Sequence, residues 1–226
     1  MYRLLLLLAL VLAAPSSAQS ARALNTEGFR LYQAGKYPEA LEKFEASAQA
    51  DPRFALAHYN VAATLGVLRK QGQICPYSAH RATILERLNT AVRLDPRRLA
   101  RAKQDADLDP IRDTVGWQRL LGRSPSRQAD VPEILRRVTW FSPGEGVYGS
   151  TRRLTFPEGK RVVLWRRLIE NPTRTEEQTG TYTLKGRSLT LTFPGRKPIP
   201  GRMTDRGVLE FEVLGTFLDS PSECEA

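Results

Sequence analysis

Few residues of this 226-residue chain could do chemistry. Two cysteines, Cys75 and Cys224, and two histidines, His58 and His80, are its whole supply of thiol and imidazole. His80 follows Cys75 by five positions, close enough to raise zinc binding or thiolate activation. Zinc needs three or four ligands, and no second His/Cys cluster can complete the set, so no metal is expected. His58 falls in a helical segment, where a surface or groove position accounts for it. The carboxylates Glu176–Glu177 and Glu210/Glu212 sit in a turn or on the polar side of an alternating run, where solvation accounts for them. SPGEGVYG (142–149) is followed by no helical pattern, so it reads as a loop or hairpin rather than a phosphate cradle. The expectation is no enzyme and no cofactor. Cys75 stays open at this point between metal ligand, reactive thiol and half of a disulfide.

The amino terminus decides the compartment in which those groups would work. Arg3 precedes an apolar run over 4–14, followed by PSSAQS with Ser16 and Ala18 as small residues at cleavage spacing. That pattern is a signal peptide, 1–18, so the chain is expected to be exported to the periplasm, cell envelope or exterior. The run is shorter than the roughly 20 residues of a membrane-spanning helix, so no transmembrane segment is expected after cleavage. Formal charge is +10, spread as 17 Lys+Arg against 11 Asp+Glu over 19–125 and 16 against 13 over 126–226. Without clustered cations and stacking aromatics, nucleic acid is not an expected partner. Such diffuse charge favours weak contact with anionic cell-envelope components.

Residues 23–121 carry the helical period. Leu24, Gly28 and Leu31 recur at helix spacing, Gly35 suits a left-handed helix end, and Pro38 suits the first turn of the next helix. Ala40, Leu41, Phe44 and Ala48 follow on one face before Asp51-Pro52. This unit resembles the tetratricopeptide repeat through Leu24, Gly28, Tyr32, Gly35, Tyr37, Ala40, Phe44, Ala48 and Pro52. A second unit has Tyr59, Asn60, Val61, Ala62 and Leu65 in its first helix, and Ile84, Leu88, Ala91 and Val92 in its second, ending at Asp95-Pro96. The two Asp-Pro closures lie 44 residues apart against a family period of about 34, so about ten residues are inserted around LRKQGQICPYSAHRA (68–82). A degenerate third unit, with Leu108, Ile111, Trp117, Leu120 and Leu121, reads as a cap on the stack.

The resemblance implies a protein or peptide partner laid along a concave groove formed by the first helices. Its lining would be Asn25, Phe29, Tyr32, Gln33, Tyr59, Ala63 and Val67. The carboxylate clamp of one subgroup is not carried over, because its lysine and first asparagine fall on Asn25 and Phe29. Taken singly, Phe29, Tyr32 and Tyr59 read as core; only as a set do they carry the groove.

GRSPSRQADVPE (122–133) has turn formers without periodicity, which places a linker over 123–135 between a helical domain, 19–122, and a β domain, 136–226. SLTLTF alternates Leu189, Leu191 and Phe193 against Ser188, Thr190 and Thr192, and VLEFEV alternates Leu209, Phe211 and Val213 against Glu210 and Glu212. Further strands are expected over 138–141, 148–156, 162–169 and 179–184. The fold class is therefore α+β and multidomain: all-α helical hairpins, then an antiparallel meander or small barrel. GTYTLKGRSLTL (180–191) resembles a strand pair of small bacterial lipocalin-like domains, which implies a carrier of a small apolar ligand as the alternative function. Trp140, Trp165, Tyr182 and Phe211 are expected to fill the interior instead. Export gives an even cysteine count its meaning, and a Cys75–Cys224 disulfide is expected, against an intermolecular bond or two free thiols.

Overall fold

The computed structural model describes residues 20–143, 151–168, 173–221 and 224; the expected signal segment, Tyr148 and Ile169 lie outside them. Helix α1 (Ala21–Gln33) starts at Ser20, whose Oγ accepts from the Ala23 N–H at 3.2 Å. It ends where Gly35 takes φ +74° and Lys36 N–H returns to the Leu31 carbonyl. Pro38 lies in the first turn of α2 (Tyr37–Ala50). These two helices touch so closely at Gly28 that a Cβ there would stand 2.8 Å from the Phe44 ring. Helix α3 (Ala55–Lys70) pairs with α4 (Arg81–Leu94), and the ten residues between them form the irregular loop that carries Cys75. Short α5 (Arg98–Ala102), a 3-10 turn (Ala106–Ile111) and α6 (Val115–Leu120) close the stack. One core runs through these helices, with Phe44, Tyr59, Leu65, Leu68, Ile84, Leu88, Leu108 and Ile111 at its centre.

Eight antiparallel strands follow in simple sequence order: β1 (Trp140–Phe141), β2 (Arg152–Thr155), β3 (Arg161–Arg167), β4 (Thr175–Lys185), β5 (Ser188–Thr192), β6 (Ile199–Met203), β7 (Leu209–Phe211) and β8 (Gly215–Phe217). Phe141 and Leu218 exchange backbone hydrogen bonds at 2.7 and 2.8 Å, so the last strand returns to the first and the sheet nearly closes into a barrel. Closure leaves few unpaired edge groups. Trp140, Leu154, Phe156, Leu164, Leu189, Leu191, Phe193, Phe211 and Phe217 fill the interior. Gly180 is required there, because a Cβ would meet the Thr192 carbonyl at 2.3 Å.

Five local expectations need correction, the first being that Glu176 and Glu177, expected in a turn, lie within strand β4. The span read as a linker over 123–135, with a strand from Val138, ends in helix α7 (Val131–Arg137). Its Val131, Ile134 and Leu135 are fully buried in the barrel core, and Leu135 accepts the Trp140 indole N–H at 3.3 Å. Seven residues are too few for a helical period to show. Strand β6 was not anticipated, since Pro200 and Gly201 interrupt the alternation that marks strands elsewhere. Val213 leaves the β7 pattern at 73 % exposure, because the chain turns after Phe211. Trp165 shares the outer face with Val163, while Val162 and Leu164 point inward.

The two halves meet around Arg81 at the start of α4. Its guanidinium donates to Asp113 Oδ1 at 2.5 Å and to the Asp219 carbonyl at 2.9 Å, and lies over the Phe141 ring. Asp219 also accepts from Val115 N–H at 2.8 Å, at the first turn of α6. Beyond these contacts Cys75 and Cys224 are joined by a disulfide, with Cα atoms 5.4 Å apart.

Candidate functional site

A small pocket of about 70 Å³ opens between α1, α3 and the segment running from α5 into the 3-10 turn. Four of the seven residues expected to line a groove border it: Phe29 and Tyr32 from α1, and Tyr59 and Ala63 from α3. Phe29 is 47 % exposed at the mouth of this pocket. Tyr59 and Ala63 are buried and Tyr32 is half-buried, so the tyrosines serve as core and as wall together. Asn25 is buried behind the pocket, where its Oδ1 accepts from Asn60 Nδ2 at 2.9 Å. Val67 is buried and Gln33 is exposed; neither lines the pocket.

The third wall was absent from the expected set. Arg101, Asp105 and Asp107 come from the unit read as a cap, and the alternating acids of QDADLDP were its available signal. Tyr32 donates its hydroxyl proton to Asp107, and Tyr59 donates to Asp105 Oδ2 at 2.6 Å. Asp105 Oδ1 also takes the Asp107 N–H at 3.1 Å, which fixes the start of the 3-10 turn. Lys70 Nζ stands 3.4 Å from Asp107, and Arg101 lies over the Tyr59 ring, 4.0 Å from Asp105. Each carboxylate thus has a cation and a phenol, and the floor is close to neutral. Such a pocket suits an uncharged or apolar side chain better than a free charge.

Gly66 makes this arrangement sterically feasible. A Cβ there would lie 2.0 Å from the Asp107 carbonyl oxygen, so the 3-10 turn rests directly on the α3 backbone. Burial, then the hydrogen bond to Asp107, pushes the Tyr32 phenol far above its usual pKa; burial and Asp105 do the same to Tyr59. A raised phenol pKa stabilises the fold fully below about pH 10, where the unfolded chain would begin to ionise, and this contribution is lost as pH rises further. Absorbance titration at 295 nm should therefore show Tyr32 and Tyr59 still unionised at pH 11, with melting temperature falling from about pH 10 upward. Tyr32→Phe and Tyr59→Phe together should flatten that alkaline fall.

The other chemistry-bearing residues lie elsewhere. His58 is buried with Nε2 3.0 Å from the Pro52 carbonyl, and Cys75 is consumed by its disulfide. Glu176 pairs with Arg166 and Glu210 with Arg202, at 3.1 and 2.8 Å. Among the described residues no three His, Cys, Asp or Glu side chains gather as metal ligands, and no helix is long and apolar enough to cross a membrane. Searches with this sequence match no protein-family model and no curated protein.

Proposed function

We propose that the protein is an exported, non-enzymatic binding module whose helical half, similar to tetratricopeptide repeats, takes a protein or peptide along its concave side. The observation that carries this reading is the half-exposed Phe29 at the mouth of a neutral, tyrosine-walled pocket. An apolar side chain of an extended partner fits there, with the phenyl ring of Phe29 closing over it. Export draws support from the disulfide, since such bonds persist in oxidising compartments. The filled barrel interior counts against carriage of an apolar ligand inside the β half.

Peptide selection on the purified protein, followed by Phe29→Ala, tests the reading. Selected peptides should lose about tenfold or more in affinity, as at a binding hot spot. The melting temperature should hardly move, because the side chain is half-exposed and stability effects at such sites are small. Unchanged affinity in a folded Phe29→Ala variant would remove the pocket from the binding site.

A further inference from the structure

We propose that the outer face of β2–β4 is a docking surface for an acidic polysaccharide, independent of the helical groove. Strand register assembles this face from residues scattered in sequence. One row across the sheet is Arg153, Trp165 and Glu177; the next is Thr155, Val163 and Thr179; a third is Arg161, Thr181 and Thr192. Arg167 extends the face beyond Trp165 along β3.

The arginines of this face are held ready for an anion. Arg153 and Arg167 lie over the Trp165 ring, 5.2 and 5.8 Å from its centroid. Among the described residues neither is in an ion pair, whereas Arg166, the neighbour pointing inward, is paired with Glu176. Arg161 is exposed and turns its Nε–H to the Glu158 carbonyl oxygen at 3.3 Å. Two arginines on these rows, with Arg167 beside them, thus stand against one carboxylate, Glu177. Arg161 and Arg167 are six residues apart on one strand, which spans roughly 20 Å. Charge spread over that length suits a polymer with repeated anionic groups.

The remaining chemistry selects the polymer. Thr155, Thr179, Thr181 and Thr192 offer hydroxyls that give and accept hydrogen bonds, matching a hydroxyl-rich chain. A shallow depression bordered by Arg161, Thr179, Thr181 and Thr192, with Phe193 and Pro194 as its apolar part, continues the track and offers a seat for the apolar face of a sugar ring. A lipid surface would call for a projecting apolar side chain, but Trp165 is half-buried between its arginines. Single-stranded nucleic acid would call for a free aromatic platform, and this ring already carries two guanidinium groups.

The unmodified protein supplies its own reporter. Of three tryptophans, Trp140 and Trp117 are buried, so acrylamide quenching reads chiefly Trp165. Polygalacturonate should protect that fluorescence while neutral dextran does not, and 1 M NaCl, where screening falls to about 3 Å, should abolish the protection. Arg153→Glu with Arg167→Glu should weaken polygalacturonate binding about tenfold or more, and Lys103→Glu on the helical half should leave it unchanged. The proposal fails if polygalacturonate gives no protection, or if a folded double variant binds equally well. It fails too if phosphatidylglycerol vesicles or DNA protect Trp165 at lower charge concentration than the glycan. Should the double variant not fold, the quenching result on the unmodified chain decides.

Discussion

Gly66→Ala should lower stability by about 3 kcal/mol, although alanine is the better helix former. In an exposed helix the same change would stabilise by up to about 1 kcal/mol. Here the new methyl would stand 2.0 Å from the Asp107 carbonyl oxygen, a backbone atom that no rotamer change can move aside. The 3-10 turn would have to lift from α3. That motion strains the bonds from Tyr32 to Asp107, from Tyr59 to Asp105 and from Lys70 to the Ala106 carbonyl. For a chain of this size the melting temperature should fall by roughly 6–12 °C. Calorimetry checks both the size and the sign: a higher melting temperature would mean that the turn is not seated on α3. Because the same turn supplies one wall of the pocket, peptides that need the pocket should weaken in parallel.

Replacing Cys75 and Cys224 together by serine should cost about 2–5 kcal/mol. Chain entropy alone sets the upper figure, since the bond spans 149 residues and a loop of that length corresponds to about 5 kcal/mol. The lower figure reflects contacts that survive without the bond. Arg81 still links Asp113 to the Asp219 carbonyl, and Asp219 still caps α6 through Val115. Denaturant unfolding of the oxidised and dithiothreitol-treated protein measures the difference directly, and the serine variant should match the reduced form. No shift in midpoint would show that the halves are joined sufficiently by their noncovalent interface.

What could be read from sequence, and what could not, divides along physical lines. The first hairpin was legible because Gly28, Gly35 and Pro38 each answer a local steric demand, and local demands leave local marks. The Cys75–Cys224 bond was legible because the expected export leaves few alternatives for two cysteines. Strands β5 and β7 declared themselves by alternation, but β6 was hidden by Pro200 and Gly201 and α7 by its brevity. Aromatic character alone suggests an interior place for Trp165; strand parity puts it outside, where arginine stacking compensates for its exposure. For the pocket, α1 and α3 gave Phe29, Tyr32, Tyr59 and Ala63. Asp105 and Asp107 escaped because a carboxylate facing a buried phenol depends on tertiary contact between distant segments.

The mutual hydrogen bonds of Phe141 and Leu218 impose an order of events on a chain made from its amino terminus. The helical hairpins are built from neighbours in sequence and can assemble while synthesis continues. The barrel cannot complete its ring until nearly the last residues have emerged. Until then Cys75 waits as a lone thiol on a folded half, open to the wrong partner. A nascent chain stalled before residue 218 should therefore expose both an unfinished sheet and a reactive sulfur. For the exported protein proposed above, the correct pairing of Cys75 can follow only the end of synthesis.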